Sequence, residues 1–180
     1  YHWGPFLYHS NILPDECKML IKEGKKCRKK AHDHSEDLAG HLAEEYRLGD
    51  YDGFMKWFKK YLVNYVEVYK QWRGKGYKPM TNLSVNIFWI NYMKSNDFNP
   101  PHSHSGDLSF VIYLHVPKEI DKENKKYKGR GRGPGGIVWF YGEGNQQHID
   151  SVGMMPQTGD LFIFPASLKH WVFPFRSKVE

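Results

Sequence analysis

Cysteine is scarce in this 180-residue sequence: only Cys17 and Cys27 are present. They lie ten positions apart in a stretch that reads as helix, where about 15 Å of rise would keep a mutual disulfide from closing. Free thiols fit a reducing compartment, so a cytoplasmic location is expected. Long apolar runs are also missing. None approaches the roughly 18 residues of a membrane span, and no signal-peptide pattern is visible, which excludes a membrane-spanning protein. Nor is the chain short of bulk: 6 Trp, 12 Tyr and 11 Phe make it 16% aromatic, enough for a sizeable core and incompatible with a collagenous or disordered chain.

Charge of one sign is not spread along the chain. Of the formal +6, residues Lys22–Lys30 carry +5 and Pro117–Gly136 carry +4, so everything else sums to −3. A uniformly basic nucleic-acid binder would not look like this, and two solvated patches are the simpler account.

The organisation follows from periodicity. The length suits one domain over residues 1–180, with a helical flank at 1–78 and a sheet core at 79–180. Pro14, Asp15 and Glu16 suit a first helical turn, where proline needs no donor and acids favour the helix dipole. Phe54, Phe58, Tyr61, Leu62, Tyr65, Tyr69 and Trp72 recur at three- and four-residue intervals, a core-facing stripe that Gly74 and Gly76 end. Beyond Pro79, runs rich in β-branched and aromatic residues read as strands: 83–92, 108–116, 137–141, 161–164 and 171–173. Helices first and closely spaced strands later predict an α+β protein, an antiparallel sandwich or jelly roll with the helices packed on one sheet. Residues 119–136 are too polar and glycine-rich for that sheet and read as a mobile excursion, a candidate lid over a pocket.

The sharpest motif is Asn99-Pro100-Pro101-His102-Ser103-His104-Ser105-Gly106-Asp107, running into a strand. In extended chain, side chains at i and i+2 leave one face about 6.5–7 Å apart, and two imidazoles there can reach one ion at about 2.1 Å. His32-Asp33-His34 has the same spacing but no sheet behind it. Downstream, Pro156-Gln157-Thr158-Gly159-Asp160-Leu161-Phe162-Ile163-Phe164-Pro165 reads as a turn and a buried strand, and His170 follows it. A paired His and a distal His on a later strand are how a barrel brings three ligands together while leaving positions open, as non-haem Fe(II) sites require. The bland alternative is histidines bonded to backbone.

These two blocks, in this order and about 68 residues apart, resemble the Fe(II)/2-oxoglutarate-dependent dioxygenases. The resemblance covers roughly residues 83–176 and is greatest to an oxygenase branch common in marine phages and bacteria, itself similar to prolyl 4-hydroxylases. It implies a double-stranded β-helix, Fe(II), 2-oxoglutarate as co-substrate with O₂, and hydroxylation of a substrate with release of succinate and CO₂. It also implies His102 and His170 as the proximal and distal iron ligands. The usual pattern is His-x-Asp/Glu, and here His104 stands in the second place; Asp107 is the alternative carboxylate. By the same resemblance Tyr113 falls where a tyrosine holds the far carboxylate of 2-oxoglutarate, although a core tyrosine on an alternating strand is an equal reading. Its basic partner is expected about ten residues past His170, where Glu180 stands: either the arginine and its strand lie in sequence not given, or the chain does not hold the co-substrate in the usual way, and Arg176, closer than expected, is the nearest candidate. Trp89, Asn91 and Trp139 are candidate pocket residues, or packing aromatics.

Two other classes fit the same residues. One is a cupin-like three-histidine metalloenzyme that does not use 2-oxoglutarate. The other is a non-enzymatic jelly-roll module binding peptide or nucleic acid. For the leading reading the partner is a small-molecule or peptide substrate, with no membrane.

Overall fold

A computed structural model describes residues 4–29, 42, 44–78, 80, 82–142 and 151–179. Its elements are β1 (Tyr8–Asn11), α1 (Pro14–Lys29), β2 (Glu45–Arg47), α2 (Tyr51–Arg73), β3 (Trp89–Asn91) and β4 (Asn99–His102). They continue with β5 (Leu108–Ile112), α3 (Lys118–Lys125), β6 (Ile137–Phe140), β7 (Ser151–Met154), β8 (Asp160–Pro165) and β9 (Lys169–Val172). All strand pairs are antiparallel, in sheets ordered β1-β8-β5, β4-β9-β6-β7 and β2-β3.

The start of α1 and both ends of α2 have local causes. The Glu16 carboxylate accepts the Leu13 N–H at 2.8 Å, closing the first turn of α1 behind Pro14. The same carboxylate accepts Trp57 Nε1–H at 2.8 Å and bonds with Lys60 and Tyr61, so it also ties α1 to α2. Burial alone would raise the Glu16 pKa, but its hydrogen bonds from Lys60, Tyr61, Leu13 and Trp57 outweigh that and hold it at about 2. Asp50 caps α2 by accepting the Gly53 N–H at 2.9 Å. Gly74, with φ +61°, ends it.

Strand β8 organises the interior, because it is buried on both faces. Leu161 and Ile163 join the α2 stripe, where Phe58 and Tyr65 are each 1% exposed. Phe54 stacks on Phe110 of β5, Phe58 meets the same ring at a tilt, and Tyr65 meets Tyr8 of β1 edge-on. Phe162 and Phe164 point the other way, into a second core with Ile137, Trp139 and Leu168. Trp139 lies 5.0 Å from Phe162 and 5.7 Å from Phe164, ring to ring, so the two larger sheets face each other. This mixed architecture of three helices and antiparallel sheets is compatible with a jelly-roll-like fold.

Several expectations need correcting. The first third is not all helix: β1 and β2 lie in it. They are short and largely polar, and pairing with β8 and β3 rather than local periodicity makes them strands. The run at 83–92 is strand only at Trp89–Asn91. Residues 119–136 are not a free excursion. They contain most of α3, anchored by buried Ile120, and Asn124 Nδ2 donates to the carbonyls of Arg132 and Pro134 at 2.8 and 3.1 Å.

Nor do these residues overlie a pocket between the sheets. Val138 stands opposite Gly153 and Trp171, and these three share the outer face of their sheet. Arg132 lies against that face so closely that a Cβ on Gly153 would meet its Cγ at 2.6 Å, and Gly131 sits over Phe173. The arm is packed on the back of the sheet.

Candidate metal centre

Register places the histidines. His102 of β4 stands opposite His170 of β9, and His170 opposite Trp139 of β6, so the three side chains form one row on the inner face. The ladder is irregular between Asn99 and His102, which re-aims the strand end. His104 follows in the connection to β5. Its N–H donates to Ala166 at 2.9 Å, and the Ala166 N–H donates back to Asp107 at 3.1 Å. The connection is thereby clamped to the β8–β9 turn beside His170. His102 therefore ends one strand, with Leu108 opening the next, rather than starting a strand.

The three rings converge. Centroids are 4.8 Å apart for His102–His104, 4.3 Å for His102–His170 and 5.1 Å for His104–His170. One ligand atom from each lies within 4.8 Å of the others. Metal bonds of about 2.1 Å would draw them slightly inward.

Two of the rings are oriented from behind. His102 Nδ1 lies 2.6 Å from the Pro100 carbonyl and His170 Nδ1 lies 3.0 Å from the Leu168 carbonyl. A carbonyl only accepts, so the proton belongs on Nδ1 and the Nε2 lone pair is left for a cation. Burial pushes His170 down to about 4, against the Leu168 carbonyl and with help from the other two rings. Burial, then His102, brings His104 to about 4 as well. Both are neutral at pH 7, the form that binds metal. Phe164 packs on His170 at 4.8 Å, and Trp89 on His104 at 5.5 Å.

The other candidates are distributed as follows. Asp107 is exposed and outside the converging group. Asn91 is exposed at the end of β3, opposite Glu45. Arg176 is exposed; its backbone N–H donates to the Glu123 carboxylate of α3 at 2.9 Å, and among the described residues no hydrogen bond or ion pair joins it to Tyr113 or the histidines. Tyr113 packs on the inner core, edge-on to Phe162 at 6.2 Å. Its hydroxyl is buried with no partner among the described residues, as is Trp139 Nε1. Burial raises the Tyr113 pKa and the Asp160 charge adds to this, so the hydroxyl keeps its proton and can donate. His32, His34 and Glu180 lie outside the described residues.

Sequence reasoning missed Asn99 and Ala166. Asn99 Oδ1 is a further buried atom without a partner, and Ala166 positions His104 through its backbone. Only the irregular pairing and the turn contact reveal these roles; an Asn or Ala carries no such signal in a sequence.

Three imidazoles held between two sheets, with no carboxylate in the group among the described residues, define a candidate mononuclear non-haem metal centre. A family model described as "Putative 2OG-Fe(II) oxygenase" matches residues 87–180, just over half of the chain, and the chain belongs to that family. A comparison with curated proteins returns no match. The family implies Fe(II) and 2-oxoglutarate. The residues present fit both: back-oriented imidazoles suit a divalent cation, and a buried hydroxyl unpartnered among the described residues suits an acidic co-substrate.

Proposed function

We propose that this chain is an Fe(II)- and 2-oxoglutarate-dependent hydroxylase built on a jelly-roll core. It would act on a small-molecule or peptide substrate and release succinate and CO₂. The observation that carries the reading is the convergence of His102, His104 and His170 at one end of the space between the sheets, with a buried proton-bearing hydroxyl, Tyr113, further in.

In this reading the three histidines hold the iron, which when bound supplies the oxidising chemistry with O₂ and 2-oxoglutarate. The pairing of His102 and His170 across the ladder and the Ala166 clamp on His104 keep the ligands in place before metal arrives. Ligands that carry no negative charge would leave the full charge of Fe(II) unmatched, and a dianionic co-substrate would offset it. Phe162, Phe164 and Trp139 exclude water from the inner side. Trp89, half-exposed beside His104, marks the side from which a substrate would approach.

The converging group holds no carboxylate among the described residues, which favours one other reading, a cupin-like three-histidine metalloenzyme that does not consume 2-oxoglutarate. Succinate formation separates them. Purified protein with Fe(II), O₂ and 2-oxoglutarate should form succinate, and His170→Ala should not. Turnover of a substrate without loss of 2-oxoglutarate would select the second reading.

A further inference from the structure

Residues 118–132, in the arm on the back of the sheet, hold seven lysines and arginines against three acids. Two of those acids are already engaged. Glu123 accepts the backbone N–H groups of Arg176 and Ser177 at 2.9 and 2.8 Å, and Asp121 pairs with Lys125 at 3.5 Å. Residues 125–132 contain no acid at all. Lys126, Lys128, Arg130 and Arg132 are exposed, and among the described residues none of their side chains has an ion pair or a hydrogen bond.

A run of charge alone would be a solvated face. Tyr127, in the middle of this one, sets it apart. Its ring is 42% exposed and meets no other aromatic ring among the described residues. The chain itself backs the ring: a Cβ on Gly129 would meet the Tyr127 hydroxyl oxygen at 2.1 Å, and one on Gly133 would meet its Cδ1 at 2.8 Å. Glycine at these positions lets the backbone lie against the ring, while Arg130 and Arg132 alternate with the glycines. The loop is pinned at its base, where Asn124 Nδ2 holds the Arg132 and Pro134 carbonyls and the Tyr127 N–H donates to the Asn124 carbonyl at 2.9 Å. A supported, exposed ring among unpaired cations offers a single-stranded nucleic acid what it needs, a π-face for an unstacked base and positive charge for the phosphates on either side. An acidic protein segment would use the cations and leave the ring idle.

We propose that residues 125–132 form a sequence-tolerant binding element for single-stranded nucleic acid, in which Tyr127 stacks on a base and Lys126, Lys128, Arg130 and Arg132 receive phosphates. The arm lies on the outer face of the sheet and the histidines on the inner face, so the element is separate from the metal centre and independent of the oxygenase reading.

Fluorescence anisotropy of a labelled oligothymidylate of about 12 nucleotides tests this on the full chain. The parent should bind with micromolar affinity at about 50 mM salt, and log K should fall with log salt at a slope near about −3, as about four phosphate contacts require. Tyr127→Leu keeps apolar bulk and removes the π-face; it should weaken binding about tenfold and leave the slope unchanged. Arg130→Gln combined with Arg132→Gln should make the slope shallower by about 1.4. His170→Ala should bind as the parent does. An oligouridylate of the same length tests RNA beside DNA, and a preference for either keeps the assignment and names the strand. No binding at about 50 mM salt, or Tyr127→Leu indistinguishable from the parent, overturns it. Polyglutamate bound as tightly as the oligonucleotide would make the partner an acidic protein, and loss of binding in His170→Ala would move the ligand to the metal row; either result overturns it too.

Discussion

The two faces of β8 carry similar side chains and do different work. On the α2 side, aromatic residues place their polar tips on partners: Tyr8 accepts from Asn64 at 2.6 Å, and Trp57 and Tyr61 share the Glu16 carboxylate. On the inter-sheet side, Tyr113 and Trp139 keep theirs buried and unpaired beside three converging imidazoles. A face whose polar groups are satisfied serves stability, and one that leaves them open holds binding capacity at the expense of stability.

That contrast can be broken by mutation, and the expected effects fall in order. Phe58→Ala, on the satisfied face, should destabilise the protein by about 3–5 kcal/mol through the cavity it leaves. Urea unfolding would show this as a lower midpoint, with Mn(II) affinity of the folded protein unchanged. On the open face the effect should appear only with metal. A divalent ion at about 100 times its Kd should stabilise the parent by about 2.7 kcal/mol, whereas His170→Ala should lose that increment entirely, read as a vanished thermal shift.

Acid should separate the two faces next. His104 and His170 have folded pKa values near 4, below the ordinary 6.5, so the unfolded chain binds more protons than the native one between those values. Their contribution is present above pH 6.5 and lost as pH falls towards 4; for these partly buried groups it amounts to about 2 kcal/mol between pH 7 and 5 in metal-free protein. Bound metal should flatten that dependence, and a metal-free melting curve that does not change over this range would remove the neutral-imidazole argument. Glu16→Gln should cost about 1 kcal/mol and leave the metal increment intact, since it loosens only the α1–α2 tie. Asp107→Asn should change neither stability nor metal affinity by more than about 0.5 kcal/mol; a large loss of metal affinity would restore it as a ligand.

Much of this was legible beforehand, for identifiable reasons. The α2 stripe announces itself because a helix repeats every 3.6 residues and its core side chains recur at that interval. The histidines at 102, 104 and 170 stood out because extended spacing and flanking prolines make the pair geometrically plausible. Helix α3 was missed because Lys118–Lys125 has one buried apolar residue, Ile120, in a charged context. The mistaken lid had the same origin: composition shows that 119–136 is polar, not which face of a sheet it lies against.

By itself, then, the sequence determined the residue types and the local elements: the amphipathic helix, the strand-forming runs, and imidazoles where a metal site would need them. The tertiary structure alone decided which face each strand residue occupies. Side chains alternate along a strand, so a shift of one residue in pairing would turn His170 and Trp139 from the inner face to the outer. Register is set by partners dozens of residues away, His102 against His170 and Trp139 against His170. That is why local pattern could propose the ligands but not place Trp139 beside them, nor the basic arm behind them.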